Sequence, residues 1–314
     1  MQSLVAAAAV PVLPLELRAA DPKVGPLRAD PGQLLDLPNG FSYRVVSRVG
    51  TPMDDGLKVP GAHDGMAAFP GDDGRIILVC NHELAPSAQL ESAFAGVDQS
   101  SFDAVRDRLY DAGGGSTPGA GGTTTTVFNP KTGEIERQHL SLGGTDTNCA
   151  GGPTPWGSWL SCEECFETPG VAFESFRIVL RDEPHGYVFE VPSGATGLVD
   201  AIPIKAMGKF EHEAAAVHHE TGIVYMTEDR HHSLFYRYIP NVPGKLLEGG
   251  RLQALAIEGK TSFATHNWDK HPDMLLAEPL AVRWIDIEDP EPVENNMRLT
   301  GANAGAAMFA RGEG

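Results

Sequence analysis

The chain has 314 residues, 41% of them apolar, and a formal net charge of −18 at pH 7. That balance argues against a nucleic-acid groove, and against a passive phosphate-binding surface unless metal ions supply the positive charge. The apolar fraction excludes a disordered acidic tail, and the 36 Gly and 24 Pro favour many short strands over long helices.

In chain order, residues 4–13 (LVAAAAVPVL) are too short to span a bilayer and are interrupted by Pro11. They read as the apolar region of a secretory signal, with 17–20 (LRAA) as a small-residue exit but no basic segment ahead of it. A flexible arm is the alternative, so residues 1–30 are expected to be an N-terminal arm or the remnant of an export signal. Short helices are expected at 31–37 and 103–111. Strand-length runs occur at 75–80, 123–128, 156–162, 186–191, 223–227, 233–239 and 282–287. Two pairs read as hairpins: 123–128 with 134–137 around Asn129-Pro-Lys-Thr-Gly133, and 214–218 with 223–227 around His219-Glu-Thr-Gly222.

Three runs end in acidic residues: Asn81-His-Glu83, Cys162-Glu-Glu164 and Thr227-Glu-Asp229. Carboxylates that converge repel one another, and hard cations such as Ca²⁺ or Fe³⁺ relieve the repulsion. A solvated turn beyond each strand is the plain alternative. The unequal spacing of the three runs excludes a regular solenoid. It predicts an all-β, irregular β-propeller in which one strand per blade points its end at a shared site, with a β-sandwich as the alternative.

Residues 143–157 (GGTDTNCAGGPTPWG) wrap a tightly turned backbone around Cys149, which suits a metal or a nucleophilic thiol. Cys162 and Cys165 have CxxC spacing, a weak zinc signal for which a disulfide is the alternative. In 209–217 (KFEHEAAAV), strand alternation puts Glu211 and Glu213 on one face and His212 on the other, and the absence of HExxH excludes a zincin. His218, His219, His231 and His232 flank turns and are expected to be exposed.

The stretches 147–164 (TNCAGGPTPWGSWLSCEE), 208–230 (GKFEHEAAAVHHETGIVYMTEDR) and 235–240 (FYRYIP) resemble the PhoX-type alkaline phosphatases. The segments 37–50, 64–69 (DGMAAF) and 309–314 (FARGEG) look like the same family. The resemblance implies a β-propeller that hydrolyses small-molecule phosphate monoesters at a mixed Fe³⁺ and Ca²⁺ centre in the periplasm or outside the cell. Carried over by motif, Cys149 is an iron ligand, Glu213 and Glu313 are metal ligands, and Arg311 is catalytic. Glu83, Glu163, Glu164, Glu228 and Asp229 are expected as metal ligands or their supports.

A monomer with no nucleic-acid partner and no integral membrane segment is expected. Because the family continues through further blades beyond its RGEG motif, residues 31–314 are expected to form a partial propeller of a C-terminally truncated member. The competing functions are a non-catalytic, exported calcium-binding propeller and a lactonase-like calcium-dependent hydrolase.

Overall fold

The computed structural model describes residues 25–268, 274, 277 and 279–313, so the apolar stretch 4–13 lies outside the described residues. Contacts divide the chain into two compact units, 1–46 and 47–314. In the first, β1 (Leu27–Arg28) and β2 (Leu37–Pro38) pair antiparallel. The helix expected at 31–37 does not form. The Asp30 carboxylate instead accepts from the amides of Gly32 (2.9 Å) and Leu34 (2.8 Å) and from the Tyr43 hydroxyl (2.6 Å). This local bonding gives the backbone an alternative to the helical ladder.

The second unit opens with a four-stranded antiparallel meander. It contains β3 (His63–Pro70) and β4 (Ile76–His82), then the helix α1 (Gln99–Asp103) in the crossover, then β5 (Gly121–Asn129) and β6 (Glu134–Thr145). The helix expected at 103–111 lies earlier, because Asp98 accepts from the Ser101 amide at 2.9 Å and caps its start. A 3-10 turn at Arg106–Arg108 is all that follows. The expected hairpin at 123–137 forms, with Val127 opposite Arg137 and Asn129 opposite Glu134. Its four threonines are buried, and three find side-chain partners: Thr123 with Ser141 (2.8 Å), Thr124 with His82 (2.9 Å) and Thr126 with Gln138 (3.0 Å).

The second sheet has three strands, β7 (Asn148–Pro153), β8 (Ser158–Glu163) and a third that returns after an inserted hairpin. The hairpin is β9 (Gly170–Glu174) with β10 (Arg177–Arg181), and the returning strand is β11 (Val188–Pro192). A five-stranded antiparallel sheet follows, opened by β12 (His212–Val217) and β13 (Val224–Glu228), which form the second expected hairpin. The short β14 (His231–Ser233) leaves this sheet, which continues through β15 (Phe235–Pro240), β16 (Gly250–Ile257) and β17 (Val282–Asp286). The helix α2 (Met297–Asn303) then leads to β18 (Phe309–Ala310), which pairs with β14. The regular elements among the described residues are thus mostly strands, and no sheet among them closes on itself.

The core lies between successive sheets. Phe69, Val79 and Leu142 of the first meet Trp159 and Phe189 of the second. Leu160 and Val188 of the second meet Val224, Met226, Tyr236 and Tyr238 of the third. Each such side chain stabilises the fold by about 1.5–3 kcal/mol relative to exposure. The first strands of the three sheets, β3, β7 and β12, lie side by side at a spacing that only glycine permits. A Cβ on Gly65 would sit 2.7 Å from the Ala150 Cα, and one on Gly152 would sit 1.8 Å from the Ala215 carbonyl oxygen.

Candidate metal centre

The three sheets carry the same local device at the same end. In each pair of opening strands, two residues of the first strand oppose one of the second. These bulges hold Asp64-Gly65, Cys149-Ala150 and Glu213-Ala214. A bulge of this kind twists the strand and re-aims a side chain, and here it turns Asp64, Cys149 and Glu213 out of the ladder.

Beside each bulge the second strand ends on a buried polar residue paired across the ladder: His82 with His63, Glu163 with Asn148, Glu228 with His212. The residue after each, Glu83, Glu164 or Asp229, donates its amide to the carbonyl two positions before the bulged side chain. Those carbonyls belong to Ala62 (2.9 Å), Thr147 (3.0 Å) and Glu211 (3.3 Å). Every sheet therefore contributes two groups, one from a bulge and one from the neighbouring strand end.

Among the described residues, ligand atoms of Cys149, Glu164 and Glu213 lie within 4.8 Å of one another. The Cys149 Sγ is 3.4 Å from the His212 and Glu213 carbonyl oxygens and 3.5 Å from the Glu213 Oε2. Asp229 joins through a side-chain hydrogen bond with Glu164, and Asp64 bonds Glu83 in the same way. Glu313 is close enough to Glu213 to repel its charge. Arg311, at φ 50°, clamps Asp229 through Nε and through Nη2, the latter at 2.6 Å.

Crowding raises the carboxyls. Burial, the bond from Asp229 and the charge of Glu213 push Glu164 up to about 8. Burial and Glu313 raise Glu213 to about 7, against the Cys149 thiol, which lowers it. Burial, then the neighbouring charges, holds the Cys149 thiol far above its ordinary value.

Glu163 and Glu228, expected from sequence to help hold metal, point the other way. Successive side chains on a strand face opposite sides, so Glu163 and Glu164 cannot share a site. The fully buried Glu163 accepts from the amides of Asp146 (2.8 Å), Gly186 (2.8 Å) and Tyr187 (3.1 Å) and from His185 Nδ1 (2.7 Å). His185 donates its other nitrogen to Asp111 at 3.1 Å. Burial works against a charged imidazole, but Glu163 and Asp111 outweigh it and hold His185 up to about 10. Glu228 accepts from the Leu234 amide (3.0 Å) and the Tyr236 hydroxyl (3.1 Å) inside the core.

Glu211 does not join Glu213 as alternation predicted, because it lies just before β12 begins; it accepts from Asn295 at 2.8 Å. The buried His212 stacks on Phe210 at 3.6 Å, and the His218, His219, His231 and His232 side chains are exposed. All four cysteines are free, Cys162 and Cys165 included.

Two residues of the site escaped sequence reasoning. Asp64 was visible only as part of DGMAAF; its signal was the shared pattern of a polar residue, an acidic or thiol residue and a small residue in His63-Asp-Gly, Asn148-Cys-Ala and His212-Glu-Ala. Asn81 braces the second bulge from the first sheet. Its amide donates to the Cys149 (3.1 Å) and Ala150 (2.7 Å) carbonyls, and its Oδ1 accepts from Trp159 (2.9 Å) and Ser161 (2.8 Å).

No curated protein matches the chain. Among solved structures, it is similar to Pseudomonas fluorescens PhoX in complex with vanadate, a transition state analogue, with TM-score 0.52 and 17% identity. The match covers 88% of this chain and 62% of that one. The family model for alkaline phosphatase PhoX matches residues 23–314. With that match spanning nearly its whole length, the chain belongs to the PhoX alkaline phosphatase family.

Proposed function

We propose that the chain carries the metal centre of a phosphomonoesterase that releases inorganic phosphate. The observation that carries this reading is the convergence of three bulges and three strand ends on one cluster of Cys149, Glu164 and Glu213, with Asp64, Glu83, Asp229 and Glu313 around it. The donor set fits bound cations. Burial and neighbouring carboxyls raise Glu164 to about 8 and Glu213 to about 7, a conflict that multivalent ions remove. A thiolate beside carboxylates suits iron, and the all-oxygen remainder around Asp64 and Glu83 suits calcium.

Such ions, when bound, would offset the charge of a transferring phosphoryl group and activate an oxygen nucleophile. The chain's own residues do the rest. Arg311 offers a planar fork that matches phosphate oxygens, and Asp229 orients that fork. Glu313, exposed beyond Arg311, lies near Glu213, while the β7 bulge holds Cys149 buried. The oxyanion bound by the Pseudomonas relative, vanadate, is the geometry such a site would stabilise.

We infer that the sheets are blades of a β-propeller in which β3, β7 and β12 line a central channel as the inner strands; their close side-by-side packing supports this. We further infer an exported, periplasmic or extracellular protein. The helices described contain no segment long and apolar enough to cross a membrane.

The test is hydrolysis of p-nitrophenyl phosphate by purified protein supplied with Fe³⁺ and Ca²⁺, alongside elemental analysis. Cys149→Ala is expected to lose iron and at least about a hundredfold in rate. Metal content and rate unchanged in Cys149→Ala would refute the reading, and calcium without iron would favour a lactonase-like or purely structural calcium site.

A further inference from the structure

Beside Arg311 stands a group of flat rings that the phosphate chemistry leaves unused. The Trp268 indole stacks on the His266 imidazole, with ring centroids 4.1 Å apart and 23° between planes. His231 and His232 meet the same indole edge-on at 5.2 and 5.4 Å. The backbone fixes where this group lies. Ala264 bridges Met308 in parallel, and the Thr265 amide donates to the Met308 carbonyl at 2.9 Å, so the segment through Trp268 runs alongside the one leading to Arg311. On the other edge, β14 places His231 opposite Ala310, and the Arg311 amide donates to the Arg230 carbonyl at 3.0 Å.

We propose that Trp268 is a stacking platform for the leaving group, selecting phosphomonoesters whose alcohol carries an aromatic ring. The inference rests on the phosphatase reading. Three imidazoles pack against the indole, yet half of it (50%) remains exposed. A ring flanked in this way stacks a ligand ring with less loss of side-chain freedom than an unsupported one. The Trp268 backbone runs beside the segment that leads to Arg311, the residue proposed to meet the phosphate, which suits the group bonded through the bridging oxygen. An aryl ring and a nucleobase share this chemistry, and the substrate arms distinguish them.

Steady-state kinetics of the metal-loaded protein would compare phenyl phosphate, a nucleoside 5′-monophosphate and glycerol 2-phosphate. In Trp268→Ala, kcat/KM for one or both aromatic substrates is expected to fall about tenfold, chiefly through KM, with glycerol 2-phosphate within about twofold. Trp268→Phe should restore most of the loss. Equal changes on aromatic and aliphatic esters, or none on either, overturn the platform while leaving the phosphatase reading intact. If the wild-type protein turns over none of the three, that reading fails on its own. The platform is then judged by quenching of tryptophan fluorescence on titration with phenyl phosphate. Quenching present in wild type and reduced in Trp268→Phe supports it, and identical curves overturn it.

Discussion

Glu163 and Glu164 are neighbours with opposite surroundings, and substitutions should separate them. Glu163→Gln removes a charged acceptor from three amides and His185, so a loss of about 2–4 kcal/mol in unfolding free energy is expected by denaturant titration. Glu164→Gln should cost the metal-free protein little or stabilise it, since it removes one of several repelling carboxyls, while bound metal by elemental analysis falls. Equal stability losses in both variants would contradict the assignment. Little in the sequence could divide this pair. Strand β8 is buried along both faces, so its residues show no apolar–polar alternation from which to tell inward from outward. The cysteine in its glycine-rich stretch, which folds as strand β7, was legible because a thiol among glycines serves packing poorly. Asp64 was not, because an Asp-Gly pair is ordinary turn chemistry until its position relative to Cys149 and Glu213 is known.

At the scale of elements, most strands with apolar or β-branched runs were readable, although β10 and β16 went unread, whereas β7 and β3 carry no such run. Their sequences, NCAGGP and HDGMAAFP, owe their extended form to neighbours rather than to propensity. The short α2 contains Thr, Gly and Asn and carries no helical signal of its own. What β7 contributes is thinness. Gly152→Ala is expected to destabilise by about 2–3 kcal/mol, because the added methyl meets backbone that cannot yield locally. Gly197→Ala, with no atom within 4 Å of its Cβ position, should be neutral or slightly stabilising. Chemical denaturation of both variants checks the pair, and similar values would mean that the strands do not lie as closely as described.

For the whole molecule, the charge of −18 implies a stability that depends on what is bound. Glu164, Glu213, Glu228 and Asp146 are raised from 4.5 or 3.8 to between about 7 and 8, and His185 from 6.5 to about 10. A group raised in the folded state contributes stability that is fully present below its unfolded value and lost as pH rises through the folded one. His82 and His212, lowered from 6.5 to about 3 by burial, act in the opposite sense and only as pH falls below 6.5. Metal-free protein is therefore expected to lose about 5 °C or more in melting temperature between pH 6.5 and 9. Added Fe³⁺ and Ca²⁺ should flatten that slope, since cations take the place of the protons. A melting temperature that rises with pH in chelator would contradict the raised carboxyls.

Asn81 gives the meander a consequence for how errors are rejected. Strand β4 could in principle slide by one residue against β5, whose run of four threonines looks alike at every step. Such a slip would swing the Asn81 amide to the opposite face, forfeiting the two bonds it donates to the second sheet and the two it accepts from there. The same slip would carry Glu83 away from Asp64. Misregistered chains would therefore lose both their join to the next sheet and a corner of the ion-binding cluster at once, leaving few half-correct states in which protein could accumulate.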